Sequence, residues 1–323
     1  MEFSLTDVGL TVHEGELATF PDYTTLQRSV LPVFVQAGSR MVGRGSAVCV
    51  APGLFVTARH VVAELNDAQP AEWTVPFERM WLYLETDQAT ASDPDAIYGG
   101  LLEVLFANPH SETDLATLTV DMVGKSAEWV RPVVLGLRMP QIGEQVDCFG
   151  YDLASAEGQL DADDITLILE RRLSVSTGRV LEQQPTRRLG GYHRTSPGFR
   201  TTAATPSGMS GGPVFDYNFE VIGFNSGSTA PNNIHPEWDS FVSGVAAALE
   251  LNFVVPESSS DGYGVIDGSA DAADIALRTV QFAELVGENR IVCHMHDTFH
   301  VDPNTGWAGY LPPSPPVTGE ADN

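Results

Sequence analysis

Three polar residues, far apart along the chain, have the types and surroundings of a nucleophile, a base and an orienting acid. His60 and Asp114 each border a short apolar segment, and Ser210 lies in the glycine-rich stretch 208–212. A serine hydroxyl is a weak nucleophile until an imidazole takes its proton and a third group holds that imidazole in the right tautomer. These residues therefore predict nucleophilic catalysis by a His60–Asp114–Ser210 triad.

The glycines around the candidate nucleophile indicate how it would be presented. Gly208, Gly211 and Gly212 allow the backbone to turn tightly around Ser210. Such a turn points the amide hydrogens of Gly208 and Ser210 at one spot, where they would stabilise the oxyanion of a tetrahedral intermediate. Each donor of this kind is typically worth about 3 kcal/mol. We therefore predict an oxyanion hole made by Gly208 and Ser210.

The segments that must position these residues are predicted to be short β-strands. Brief apolar runs, many of them alternating with polar residues, recur between residues 32 and 245 and are separated by Gly, Pro, Asn and Asp. Such spacing, without long intervening helices, favours a sandwich or a barrel over alternating βαβ units. Helical periodicity is confined to a turn or two after His60 and to 270–286.

The order of the motifs resembles that of the chymotrypsin/trypsin-like serine proteases, and most of all their bacterial high-temperature-requirement-type and glutamyl-endopeptidase-like branch. It runs from a Gly45-Ser46 strand opening, through the histidine, aspartate and serine segments, to a strand at 221–225. The resemblance implies an all-β fold of two six-stranded antiparallel β-barrels (trypsin-like), with the active site in the cleft between them. It also implies a serine endopeptidase that hydrolyses peptide bonds through an acyl-enzyme intermediate.

The resemblance also assigns residues around the substrate. Animal members of the family carry an aspartate directly before the serine, where this chain has Met209, so activation by a freed N-terminus is not expected. The positions implied for substrate binding carry no charge, which predicts cleavage after small or medium uncharged residues rather than after Arg or Lys. They are Ala204 and Thr205 at the base of the primary pocket, and Ser226, Gly227 and Ser228 along its wall, where the substrate would add as a strand.

Two other functions are compatible with the same serine. The first is a catalytically idle module with the protease fold, which holds a peptide without cutting it. The second is an α/β-hydrolase esterase, because Gly208-x-Ser210-x-Gly212 also fits a nucleophile elbow, with Asp261 or Asp267 and a later histidine completing the triad. An elbow requires a helix after its serine, and two glycines, Pro213 and an apolar run are poor material for one.

A cluster of histidines near the C-terminus has residue types that bind metals. It comprises Cys293-His294-Met295-His296 and His300, at a spacing that matches no zinc signature. On a strand His294 and His296 share one face, and we expect them outward with Cys293 and Met295 inward. We expect neither a metal nor a cofactor.

Composition limits the partners and the compartment. The formal net charge is −26, and Lys125 is the one lysine among 17 basic residues. Such a surface repels nucleic acid and anionic membranes, so the expected partner is a protein or peptide substrate. The chain shows no signal-like start, no apolar stretch of about 18 residues, and three widely spaced cysteines typical of a reducing compartment. These features predict a cytoplasmic protein.

The predicted organisation has a protease domain flanked by smaller parts. Apolar residues within 270–301 predict that this stretch packs against the protease body or a partner. The expected segments are an N-terminal extension at 1–28, a protease domain at 29–256 with its barrels at about 29–130 and 131–256, a C-terminal appendage at 257–311, and a disordered tail at 312–323.

Overall fold

The structure is a computed structural model in which most of the chain is described. The described residues are 10–19, 26–37, 40–62, 79–86, 98–120, 122, 130–152, 157–161, 164–168, 172–184, 197–233, 236–256, 277–296, 299–301 and 308–310. The predicted tail at 312–323 and the linker after 256 lie outside them. No helix in the described part is long and apolar enough to cross a membrane.

Strands make up most of the described chain, and the helices are short. The strands are β1 (Leu17–Thr19), β2 (Val30–Ala37), β3 (Arg40–Ala51), β4 (Leu54–Ala58), β5 (Arg79–Thr86), β6 (Tyr98–Pro109), β7 (Leu115–Val120), β8 (Leu135–Leu137), β9 (Gln145–Asp152), β10 (Glu157–Asp161), β11 (Asp164–Ile168), β12 (Arg172–Gln184), β13 (Gly198–Thr201), β14 (Pro213–Phe215), β15 (Val221–Thr229), β16 (Asp239–Gly244), β17 (Asn252–Pro256), β18 (Leu277–Gln281), β19 (Cys293–Met295), β20 (Phe299–Val301) and β21 (Ala308–Tyr310). The helices are α1 (Arg59–Val62), α2 (Val245–Ala248) and α3 (Phe282–Gly287).

The two predicted six-stranded antiparallel barrels are confirmed. In the first, the strand order is β3-β2-β5-β6-β7-β4, and β4 pairs back with β3 to close the ring. In the second, the order is β14-β9-β12-β13-β16-β15, and β15 pairs back with β14. Closure removes the exposed strand edges that an open sheet of this length would present.

The strands between the barrels are buried on both faces. On β2, Val33 and Val35 point into the first barrel, whereas Val30 and Phe34 join the larger core shared with the second barrel. Successive side chains of a strand point to opposite faces, so a strand covered on both sides must be apolar at nearly every position. Each large apolar side chain buried in this way contributes about 1.5–3 kcal/mol.

The described part of the C-terminal segment packs against this body. Strand β18 pairs with β17, and Phe253 stacks on Phe282 with ring centroids 5.8 Å apart. Leu285 and Ile291 are also buried in the shared core. The helix predicted over 270–286 is wrong at 277–281, which form β18, because pairing with β17 overrides the local periodicity there. Residues 282–286 are helical as predicted, in α3, and 270–276 lie outside the described residues.

The histidine cluster is oriented by a buried carboxylate, and the predicted inward Met295 is wrong. Met295 is 74% exposed, whereas His294 Nδ1 lies 2.6 Å from Glu220 Oε1 and His296 Nε2 lies 2.8 Å from Glu220 Oε2. Two hydrogen bonds to one carboxylate therefore hold both histidines, although the His294 side chain stays 56% exposed, and Cys293 packs against the shared core. Within the described residues no group of His, Cys, Asp and Glu is arranged to hold a metal, and the His300 side chain lies outside that part.

The Glu220 carboxylate should stabilise the docking of β19 in a pH-dependent way. Burial opposes ionisation, but the hydrogen bonds from His294 and His296 more than offset it and hold the pKa of Glu220 below its usual range. Because the folded-state pKa is the lower one, the stabilisation is present above the unfolded-state pKa and is lost as pH falls through the folded-state pKa.

We therefore expect Glu220→Gln to lower the stability at neutral pH by about 1–3 kcal/mol and to flatten the acid limb of the stability profile. Thermal unfolding midpoints measured from about pH 3 to pH 7 check this. Glu288→Gln is the matched control, since the Glu288 side chain is 51% exposed and its Oε2 lies 3.7 Å from Arg290 Nη1. Equal midpoint shifts in the two variants would contradict the prediction.

Candidate active site

His60 and Asp114 are brought together by the register of two neighbouring strands. Ala58 at the end of β4 pairs with Leu115 at the start of β7. The next residues of each strand must therefore lie side by side beyond the ladder. The Arg59 N–H donates to the Asp114 carbonyl at 3.1 Å, and the His60 N–H donates to Asp114 Oδ1 at 3.2 Å. The backbone thus fixes the position of the carboxylate independently of the imidazole.

The imidazole of His60 is held by this carboxylate. His60 Nδ1 lies 2.9 Å from Asp114 Oδ2 and 3.1 Å from Oδ1. The hydroxyl of Ser226 also donates to Asp114 Oδ2. Asp114 is 8% exposed, whereas the His60 side chain is 33% exposed. A carboxylate on Nδ1 selects the tautomer in which Nε2 is free to accept a proton.

The loop that carries Ser210 is a tight turn anchored by a buried methionine. Gly208 and Gly211 have φ values of +99° and +84°, in the region that favours glycine. The Met209 N–H donates to the Pro206 carbonyl at 3.1 Å, and the Met209 side chain is fully buried. The residue before the serine is therefore a core anchor here.

The candidate oxyanion amides have no acceptor in the described part of the protein. Within the described residues, neither the Gly208 N–H nor the Ser210 N–H donates a hydrogen bond. Their neighbours in the loop are satisfied, since the Gly211 N–H donates to the Asn225 carbonyl at 2.7 Å and the Gly212 N–H donates to the Met209 carbonyl at 3.0 Å. Amides without an internal acceptor are what an oxyanion hole requires.

Ser226 connects the serine to the histidine–aspartate pair. The Ser210 hydroxyl donates to the Ser226 carbonyl at 3.4 Å, and among the described residues it makes no hydrogen bond to His60. The Ser226 hydroxyl also donates a hydrogen bond to Asp114 Oδ2. The sequence resemblance assigned Ser226 only to the substrate wall, and no local pattern distinguishes its second role, because the partner lies on the other barrel.

A second residue that sequence analysis missed is Ser46 on β3. Its N–H donates to the Ser210 carbonyl at 2.8 Å, and its hydroxyl donates to the Gly208 carbonyl at 2.9 Å. The motif comparison recognised Gly45-Ser46 as a strand opening but gave Ser46 no contact with the nucleophile loop. One residue of the first barrel therefore binds both ends of the turn that carries the serine.

Three of the residues predicted to form the primary pocket make hydrogen bonds that involve hydroxyl groups. Ser228 Oγ donates to the Thr205 carbonyl at 2.6 Å, and Thr205 Oγ1 donates to Ser240 Oγ at 2.8 Å. The Ala204 N–H donates to Ser176 Oγ at 2.7 Å. Gly227 lies at a register shift between β15 and β16. None of the five predicted pocket residues carries a charge.

The α/β-hydrolase alternative does not fit the fold. Ser210 lies between strands of an antiparallel barrel, and the strand β14 follows it where an elbow requires a helix. His294 and His296 bind Glu220 rather than approaching Ser210. The acids proposed for that triad, Asp261 and Asp267, lie outside the described residues.

Comparisons with known proteins identify the domain around this site. The family model for the trypsin-like peptidase domain matches residues 45–224, more than half of the chain. The chain is similar to the MamO protease domain from Magnetospirillum magneticum, with 18% identity, 70% of this chain and 96% of that chain covered, and a TM-score of 0.44. It is also similar to a protease from M. tuberculosis in its active form (18% identity, 69% and 79% covered, TM-score 0.41) and to the serine endoprotease from Yersinia pestis (20% identity, 69% and 62% covered, TM-score 0.39). No curated protein matches the chain.

The nucleophile loop should tolerate no side chain at Gly211. A Cβ there would lie 2.2 Å from the Ser46 carbonyl oxygen and 2.3 Å from Thr57 Oγ1. Gly143 has the same φ of +84° but open space around its Cβ position. Gly143→Ala therefore matches the backbone strain of Gly211→Ala without the collision.

We expect Gly143→Ala to lower the free energy of unfolding by about 1–2 kcal/mol and to leave peptide hydrolysis unchanged. Gly211→Ala should lower the free energy of unfolding by several kcal/mol more, or displace the loop and remove peptide hydrolysis. Unfolding midpoints and initial hydrolysis rates of both variants check this. Similar midpoints and rates in the two variants would show that the loop is not seated as described.

Proposed function

Because the chain belongs to the trypsin-like peptidase family and is a serine endopeptidase, we propose that it cleaves proteins or peptides through an acyl-enzyme intermediate formed on Ser210. The observation that carries the proposal is the 2.9 Å hydrogen bond between His60 Nδ1 and the buried Asp114 carboxylate. This bond leaves Nε2 as the basic nitrogen, on a histidine that is partly open to solvent. No cofactor enters the proposed reaction.

In the first half of the proposed reaction, Ser210 Oγ attacks the carbonyl carbon of the scissile bond. The hydroxyl leaves the Ser226 carbonyl, and His60 Nε2 takes its proton as the C–O bond forms. The Gly208 and Ser210 N–H groups bind the oxyanion. His60 then gives the proton to the departing amine as the C–N bond breaks, which leaves an ester on Ser210.

In the second half, water repeats the same steps. His60 takes a proton from a water molecule, whose oxygen attacks the ester carbonyl, and then returns the proton to Ser210 Oγ as the acid product leaves. Asp114 stays ionised throughout and stabilises the imidazolium that forms twice in the cycle. The hydrogen bond that Ser226 donates keeps the Asp114 carboxylate oriented while the imidazolium charge of His60 forms and is neutralised.

We also propose that the substrate residue before the scissile bond is small or medium and uncharged. The predicted pocket residues Ala204, Thr205 and Ser228 offer methyl and hydroxyl groups and no carboxylate. The Ser228 and Thr205 hydroxyls are already engaged within the protein. A buried Arg or Lys side chain would therefore lose its water without gaining a partner. The cytoplasmic location and the domain boundaries stay predictions.

One observation favours a second candidate function, a peptide-binding module that does not cut. The Ser210 hydroxyl is bonded to the Ser226 carbonyl rather than to His60 in the described structure. If the serine never turned to the imidazole, the cleft would hold a peptide without cleaving it. Kinetics of the wild-type chain separate the two functions directly.

We expect Ser210→Ala and His60→Ala each to reduce kcat by about 10⁴-fold or more, while the fold is kept. Members of a triad act as a unit, so the double variant should be hardly slower than either single variant. Hydrolysis of a fluorogenic peptide and circular dichroism check this. Multiplicative losses in the double variant would contradict the triad, and a wild-type chain that binds peptides without cleaving them would favour the idle module.

We expect wild-type kcat/KM to be at least about 100-fold lower for an arginyl than for an alanyl peptide amide, because an unpaired buried charge costs about 3 kcal/mol or more. Ala204→Asp supplies a carboxylate at the predicted pocket base and should raise arginyl hydrolysis selectively. Efficient arginyl hydrolysis by the wild type, or no change in Ala204→Asp, would show that these residues do not form the pocket.

A further inference from the structure

Ser46 lies on the barrel opposite the nucleophile and binds the turn that presents it. We propose that Ser46 is a positioning residue that sets the angle between the Gly208 and Ser210 amides. The inference rests on the proposed function, in which these two N–H groups bind the oxyanion. Two hydrogen bonds carry it, from the Ser46 hydroxyl to the Gly208 carbonyl at 2.9 Å and from the Ser46 N–H to the Ser210 carbonyl at 2.8 Å.

The hydroxyl bond acts on the most permissive residue of the turn. Gly208 has φ of +99° and no Cβ to restrict its ψ. Peptide units are planar, so the direction of the Gly208 carbonyl fixes the plane of the peptide that joins Gly208 to Met209. The torsions on either side of that plane, ψ of Gly208 and φ of Met209, set the direction of the Ser210 N–H relative to the Gly208 N–H. Ser46 opposes rotation about these torsions from outside the loop.

The direction of the Ser46 hydroxyl is itself fixed. A hydroxyl has one proton to donate and lone pairs that accept. The Tyr151 N–H donates to Ser46 Oγ at 2.9 Å, which leaves the hydroxyl proton for the Gly208 carbonyl. Ser46 is fully buried, so no bulk water replaces either bond. Its hydroxyl therefore ties strand β9 and the nucleophile loop, both of the second barrel, to β3 of the first.

The backbone of Ser46 serves the loop from the side of β3 on which β4 lies. The Ser46 carbonyl accepts from Thr57 Oγ1 of β4 at 2.7 Å, and its N–H donates to the Ser210 carbonyl at 2.8 Å. A Cβ at Gly45 would lie 2.8 Å from the Ser210 carbonyl oxygen, so glycine there permits this approach.

The test separates positioning from stability by comparing two deleted buried hydroxyls. Ser46→Ala removes both bonds of the Ser46 hydroxyl. Thr119→Val is the matched control, since Thr119 is a buried residue of the same barrel whose hydroxyl donates to the Val254 carbonyl at 2.6 Å, away from the loop. Ser46→Cys keeps a weak donor in place and provides a second variant that retains the side-chain size.

We expect Ser46→Ala to lower kcat about 10–100-fold with KM changed less than about threefold, because a small misplacement of catalytic groups costs rates of this order. Its affinity for a peptide boronic acid, which forms a tetrahedral adduct with serine, should fall in parallel, whereas its affinity for a cleaved product peptide should not. The kcat and the boronate affinity of Ser46→Cys should lie between those of Ser46→Ala and those of the wild type. Thr119→Val should keep wild-type kcat and boronate affinity.

Three results would overturn the proposal. One is wild-type kcat and boronate affinity in a folded Ser46→Ala. Another is an equal loss of kcat and boronate affinity in Thr119→Val, which would indicate that Ser46 has a structural role only. The third is a wild-type rate in Ser46→Cys when Ser46→Ala does not fold. A wild-type chain that neither hydrolyses peptides nor binds the boronate would instead overturn the proposed function, and the positioning role with it.

Discussion

The candidate site depends on one close contact between the barrels, in which β3 binds the turn that carries Ser210. The Ser46 N–H donates to the Ser210 carbonyl at 2.8 Å, and neither Gly45 nor Gly211 has room for a side chain. His60 is held on the first barrel by the β4–β7 register, so this contact decides where the serine stands relative to the imidazole. The barrels are thus aligned at the place where they must act together.

The polar groups of the cleft differ in how far they are prepared for the reaction. The carboxylate of Asp114 receives hydrogen bonds from the His60 backbone, the His60 ring and the Ser226 hydroxyl. The Ser210 hydroxyl, by contrast, makes one long bond to the Ser226 carbonyl. A buried carboxylate without hydrogen-bond donors would lower the stability of the fold, so the donors to Asp114 are already in place before substrate binds. A hydroxyl needs only rotation about χ1 to change its partner, so its alignment is left to the bound state.

The sequence predicted the parts of this arrangement that local patterns encode. Alternating apolar runs indicate strands, and the order of motifs indicates two closed barrels, which the structure confirms. Long-range contacts leave no such pattern: Ser46 and Gly208 are 162 residues apart, and Ser226 and Asp114 are 112 residues apart. A serine on a strand has the same local sequence whether it faces solvent or a distant carbonyl. The error at 277–281 has the same origin, since pairing with β17 decided the local structure there.

The central claim, a serine nucleophile activated by His60, is tested most directly by covalent labelling. The full chain is reacted with a fluorophosphonate probe at neutral pH, and intact mass and peptide mapping locate the adduct. The account predicts one adduct, on Ser210, that forms in the wild type and fails to form at a comparable rate in His60→Ala. An unlabelled wild type, an adduct on another residue, or equal labelling in His60→Ala would contradict it.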